Sequence, residues 1–199
     1  MHQNDINNIK GCADGICLHT LFRDMMTMKE KKLKAAGYVL FAVYLILLVW
    51  IIVFKMDPWT IYRYRRYVCL IPFGSLFDKS YRFSYAVRDI VYNILVFIPF
   101  GIYISMLFER MKPAAAAAVM FTVSAAFETV QYVFSVGTTD VTDLITNTLG
   151  GIIGIVSYRL LAKLAKNSSR IDIIILSLAA LVSLVLSVQM TAAIIYFLQ

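Results

Sequence analysis

The sequence predicts an all-α fold, a polytopic bundle of about five transmembrane helices. Three observations carry that prediction. Hydrophobic residues make up 60% of the 199 residues and charged residues 16%, with a mean hydropathy of +0.75; a soluble domain carries roughly 45–50% and about 25%. The apolar residues are gathered into blocks near the length of about 20 that spans a bilayer core. The charges lie between the blocks.

Ala35–Phe54 is an uncharged, Leu/Ile/Val-rich run directly behind Lys29, Lys31, Lys32 and Lys34. It is longer than a signal-peptide core and no small-x-small cleavage site follows it, so it reads as a signal anchor behind a tail, residues 1–34. Residues 1–28 show no helical periodicity. The second block, 90–108, is uncharged and predicted to be broken by Pro99. The third, 113–134, carries Glu128. The fourth, near 142–162, ends at Arg159 and Lys163, whose stems are expected to snorkel to the interface. The last, 173–199, is uncharged and long enough to span with tilt. Residues 35–165 thus form one membrane domain, followed by a C-terminal transmembrane helix.

The formal charge of +7 divides along the chain as +2 in residues 1–34, +4 in 55–89, +1 in 109–112, −3 in 128–143 and +3 in 159–172. Charge placed between apolar blocks is membrane-flanking charge and argues against nucleic acid as a partner. The positive flanks at 29–34, 109–112 and 159–172 predict a cytoplasmic N-terminus. The acidic hairpin 135–143 and the C-terminus then lie outside. Segment 55–89 disagrees, being positive yet placed outside. Its Trp59, Tyr62, Tyr64, Tyr67, Arg63, Arg65, Arg66, Arg82 and Arg88 suit either an interfacial belt or a site for anionic headgroups.

Only His2 and His19 are present, both ahead of the first block. That argues against a Ser-His dyad or a His-ligated zinc site in the membrane. Cys12, Cys17 and Cys69 complete no metal spacing and read as incidental thiols. No cofactor and no metal are expected.

Polar residues inside the apolar layer concentrate in one place. Ala117, Phe121, Ser124, Glu128, Gln131 and Ser135 recur at helical steps on the third block, and Asp140, Asp143, Asn147, Gly150 and Gly154 on the fourth. Two polar stripes therefore meet across a short hairpin, with Asn93 and Arg88 at the matching end of the second block. Asp140 and Asp143 also fit an N-cap and a first turn; Asn147 and Gln131 also fit interhelical hydrogen bonding. Gly150 and Gly154 permit close helix packing. A carboxylate at a helix centre costs about 2.5–3.5 kcal/mol on insertion scales. Glu128 therefore needs a partner, a proton or water.

Glu128-x-x-Gln131, then Asp140-x-x-Asp143-x-x-x-Asn147-x-x-Gly150 and Gly154, together with Leu70-Ile-Pro-Phe73 and Asn93-Ile-Leu-Val-Phe-Ile-Pro-Phe-Gly101, resembles the VanZ-like membrane proteins over residues 38–165. The resemblance implies a small multi-pass protein of the bacterial cytoplasmic membrane, from a family whose name comes from a member associated with resistance to teicoplanin, a glycopeptide with a lipid tail. Many relatives carry Arg in the hairpin, where this chain has Gly137-Thr138-Thr139. Neutralisation of Asp140 and Asp143 must then come from Arg88, a bound cation or a proton. Many also have Asn where this chain has Cys69. The expected function is engagement of an amphiphilic or lipid-linked envelope molecule, or a lipoglycopeptide, at the outer leaflet. The alternatives are a carboxylate-dependent enzyme on lipid-linked intermediates and a small transporter. Membrane lipids are expected partners, with self-association open.

Overall fold

A computed structural model describes residues 16–54, 67–77, 82–135, 138–165 and 168–198. Five long helices dominate: α1 (Ile16–Phe54), α2 (Phe83–Leu107), α3 (Pro113–Phe134), α4 (Val141–Leu164) and α5 (Ser168–Leu198). All five contain a stretch long and apolar enough to cross a membrane. The chain divides into an N-terminal unit, residues 1–36, whose described part is helical from Ile16, and a unit of residues 37–199. All the contacts below belong to the second unit. The aromatic and Arg-rich residues 55–66, including Trp59, Tyr62, Arg63, Tyr64, Arg65 and Arg66, lie outside the described residues.

Local chemistry explains where the helices begin and end. No glycine or proline interrupts residues 16–36, and the Leu, Met, Lys and Glu side chains there favour helix; the tail expected to lack periodicity is helical from Ile16. α2 starts at Phe83, seven residues before the apolar block, because charge at Arg88 and Asp89 removes residues from an apolar run without removing them from a helix. Nor does Pro99 break it. The proline N–H that would close onto Leu95 is missing, and the next carbonyl, Val96, accepts a 2.6 Å hydrogen bond from the Tyr44 hydroxyl. α3 opens on Pro113, suited to a first turn, and closes on Ser135 at φ 55°. α4 is capped by Asp140, whose carboxylate accepts the N–H of Thr142 at 2.7 Å. Asp143 in its first turn and Lys163 in its last oppose the helix dipole.

The tightest packing is α2 against α4. A Cβ built on Gly101 would strike the Gly151 carbonyl, one on Gly150 the Ile94 carbonyl, and one on Gly154 the Ile98 carbonyl. Glycine is required there because the two backbones touch. Against the other side of α2, Phe41, Tyr44, Phe100 and Tyr103 stack with centroids 5.2–6.4 Å apart. At the far end of α4, the Arg159 guanidinium, expected to snorkel, donates to the carbonyl of Met111 at 2.9 Å, and the Tyr158 hydroxyl donates to Asp172 at 2.8 Å. These bonds tie the α2–α3 turn and the start of α5 to α4.

Two short strands close the opposite end. β1 (Tyr67–Cys69) pairs in parallel with β2 (Thr138–Asp140), in the register Tyr67 with Thr138, Val68 with Thr139 and Cys69 with Asp140. The connection between α1 and α2 is thereby fastened to the hairpin between α3 and α4. A turn follows β1 in which Gly74 N–H bonds the Ile71 carbonyl at 3.0 Å and Phe73 takes φ 58°. Phe73 then donates its N–H to Thr142 Oγ1 at 2.9 Å. The tetrapeptide Ile-Pro-Phe-Gly occurs twice, as this turn at 71–74 and as α-helix at 98–101. Context sets its conformation.

Candidate functional site

The end of the bundle fastened by β1 and β2 holds a cavity of about 480 Å³. Four helix ends meet there by connectivity: the C-termini of α1 and α3 and the N-termini of α2 and α4. α5 reaches the same level because Leu186 lies 18 residues from its start, about 27 Å at 1.5 Å per residue. The apolar walls are Ile51, Ile52, Val96 and Leu186. The polar wall is Arg88, Asp89, Tyr92, Asn93, Gln131, Asp143 and Asn147.

Each polar group arrives for a local reason. Asp89, Asn93 and Val96 recur at three- and four-residue steps on α2 and so share one face. Asn93 Nδ2 donates to Asp143 Oδ1 at 2.6 Å, joining α2 to the first turn of α4. Gln131, one turn from the end of α3, donates Nε2–H to the Ile52 carbonyl at 2.9 Å. That carbonyl belongs to the last turn of α1, where intrahelical donors run out. Asn147 donates Nδ2–H to Ser124 Oγ at 3.0 Å, joining α4 to α3. Gln131 and Asn147 are 1% and 0% exposed.

Arg88 and Asp89 mark the mouth. Their side chains are 53% and 37% exposed and pair at 3.5 Å. The Arg88 guanidinium lies 4.9 Å from the centroid of the Tyr85 ring, a cation–π distance.

The structure therefore brings together five of the residues singled out from sequence, Arg88, Asn93, Gln131, Asp143 and Asn147, around one cavity. Glu128 and Asp140 lie beside it, in the hairpin. Glu128 Oε2 accepts the backbone N–H of Asp140 at 2.9 Å, and Asp140 caps α4. A hydrogen bond to each of these three acids, Glu128, Asp140 and Asp143, comes from an amide N–H. Gly150 and Gly154 lie on the α2–α4 seam. Among the described residues, no group of three or more His, Cys, Asp or Glu side chains is placed to hold a metal ion.

Tyr92 and Leu186 escaped the sequence reading, whereas Asp89 was expected close to the polar side chains together with Arg88. Extending α2 back to Phe83 puts Asp89 four residues before Asn93, on the same face; Tyr92, next to Asn93 in sequence, carries no such spacing signal. Leu186 carries no signal, because α5 is apolar on every side.

Five helices long and apolar enough to cross a membrane, around a cavity with apolar and polar walls, define a multi-pass membrane protein. The sequence pattern of the VanZ/LLP1 family matches residues 41–162, more than half of the chain. Protein VanZ of Enterococcus faecium is 32% identical over 155 residues, covering 76% of this chain and 91% of the relative. The chain belongs to the VanZ family. No solved structure matches it.

Proposed function

We propose that this VanZ-family protein engages an amphiphilic or lipid-linked envelope molecule, or the lipid-tailed antibiotic itself, at the outer leaflet of the bacterial cytoplasmic membrane, and that it thereby contributes to teicoplanin-type resistance. The observation that carries the reading is the cavity. Its volume falls within the roughly 300–1,000 Å³ of small-molecule sites. Its lining combines apolar walls with a few convergent polar groups, as an amphiphile requires. The exposed mouth at Arg88 and Asp89 lies near the chain segments that leave the apolar layer. Lys and Arg flanking at 29–34, 109–112 and 159–172 supports a cytoplasmic N-terminus, which turns the cavity end outward.

The test is expression in a sensitive bacterial host challenged with a lipid-tailed glycopeptide. The wild-type chain is expected to raise the inhibitory concentration. Leu186→Trp, which fills the cavity, and Asp143→Asn, which removes a charge from its wall, are expected to abolish the rise at unchanged membrane abundance. Full resistance from both variants would overturn the proposal.

A further inference from the structure

Gln131 and Asn147 both line the cavity, and both spend their amide N–H elsewhere. The Ile52 carbonyl only accepts, so it fixes which end of the Gln131 amide faces it. The opposite atoms, Gln131 Oε1 and Asn147 Oδ1, are buried and meet no hydrogen-bond donor among the described residues. A buried acceptor without a donor is destabilising, and proteins leave few of them. Two such residues on the lining of one cavity favour an occupant that brings N–H or O–H groups.

The remaining lining narrows the occupant. Asp143 and Asp89 are acceptor-only when ionised, and among the described lining residues these two acids stand beside one cation, Arg88. The cation stands at the mouth, about 7.5 Å along the α2 axis from Asn93 at 1.5 Å per residue. A sugar offers acceptors as well as donors, whereas a primary ammonium offers three donors and a positive charge. A quaternary ammonium has no N–H and is held by aromatic cages; Tyr92 is the one aromatic among the described lining residues.

We infer that the cavity receives a primary ammonium group, hydrogen-bonded by Gln131 Oε1 and Asn147 Oδ1 and paired with Asp143, while an adjacent phosphate on the same amphiphile sits at Arg88. Arg binds phosphate well because its planar fork offers several N–H donors. The inference rests on the reading that the cavity holds an amphiphile and names the headgroup chemistry. Two sources carry that chemistry: an ethanolamine phospholipid and an amino-bearing polyprenyl diphosphate.

The test is native mass spectrometry of the full chain released from detergent, titrated with phosphatidylethanolamine, phosphatidylcholine and phosphatidylglycerol of identical chains, and with an amino-bearing polyprenyl diphosphate. The ethanolamine lipid is expected to be retained about tenfold over choline and glycerol lipids, the scale of one charge-assisted hydrogen bond. Stronger retention of the polyprenyl compound assigns the source to it. Gln131→Met and Asn147→Leu, which remove the acceptor together with the amide donor to Ile52 or Ser124 at similar volume, are expected to bring the ethanolamine lipid down towards the choline lipid.

Equal retention of the ethanolamine, choline and glycerol lipids by the wild type overturns the inference without recourse to any variant. Leu186→Trp separates the two readings. If it displaces lipid but no headgroup preference exists, the ammonium inference falls and the amphiphile reading stands. If it displaces nothing, both fall.

Discussion

The carboxylate of Glu128 accepts the backbone N–H of Asp140 at 2.9 Å across the α3–α4 hairpin, and Thr139 Oγ1 donates to the Glu128 carbonyl at 3.3 Å. The buried acid thus fastens the residue that caps α4 and, through β2, the pairing with β1. Glu128→Gln keeps a carbonyl acceptor in that place and is expected to accumulate in the membrane. Glu128→Leu leaves the Asp140 N–H without this acceptor. A loss of about 1–3 kcal/mol is expected, the range for leaving a buried donor without its acceptor. Thermal midpoints of the two variants in detergent check the difference, and equal midpoints would remove the fastening role.

Ser135 offers a gain in stability. It closes α3 in the left-handed region at φ 55°, with its N–H directed at the carbonyls of Gln131 and Tyr132. A non-glycine residue there pays for its Cβ. Relief of roughly 1–2 kcal/mol of left-handed strain exceeds the roughly 0.4–1 kcal/mol that the greater freedom of glycine in the unfolded chain costs, so Ser135→Gly is expected to stabilise the protein slightly. A raised thermal midpoint is the readout.

The α2–α4 seam predicts a graded glycine series. At Gly154 an added methyl meets the Ile98 carbonyl, and at Gly101 the Gly151 carbonyl; both are backbone. Gly37 differs, since its added methyl would meet a Leu107 side-chain carbon at 2.9 Å, which can turn away. Gly154→Ala and Gly101→Ala are expected to cost about 1–3 kcal/mol or more as overpacking, with Gly37→Ala well below them. Membrane abundance and thermal midpoint rank the three. A Gly37→Ala defect as large as the others would refute the ranking.

This seam also shows what was and was not legible in the sequence. Gly150 and Gly154 were readable as a close-packing pair, and the third helix matched at both ends because Pro113 and the hairpin bound it chemically. The start of α2 was hidden because Arg88 and Asp89 end an apolar run while continuing a helix. The β1–β2 pairing was out of reach: three-residue strands have no periodicity, and residues 67–69 and 138–140 are joined only by tertiary structure. The polar stripes of α3 and α4 do meet, through Asn147 and Ser124. Yet the stripe residues divide between a hairpin clasp, Glu128 and Asp140, and a cavity wall, Gln131, Asp143 and Asn147, and helical spacing alone does not separate those roles.

Asn93 and Asp143 are expected to be energetically coupled. Their 2.6 Å hydrogen bond joins α2 to α4 through a side-chain carboxyl acceptor. In a double-mutant cycle of Asn93→Leu and Asp143→Leu, the coupling energy is expected at about 1–3 kcal/mol. Asp143→Asn retains an oxygen for Asn93 and is expected to fall between wild type and Asp143→Leu. Additive single-variant effects would mean that the two residues act independently.

Topology supplies the last prediction, because β1 and β2 are paired. Val68 and Thr139 are register partners, so any orientation that exposes one to a compartment exposes the other. Lys112 and the α2–α3 turn lie at the opposite end of α2 and α3. In a background with Cys12, Cys17 and Cys69 replaced by Ser, Val68→Cys and Thr139→Cys are both expected to react with an impermeant thiol reagent added to intact cells. Lys112→Cys is expected to react only after lysis. The reverse pattern would put the cavity mouth at the cytoplasmic face and end the outer-leaflet proposal, while leaving the ammonium chemistry of its lining to be judged by lipid retention alone. Discordance between Val68→Cys and Thr139→Cys would instead contradict the strand pairing itself.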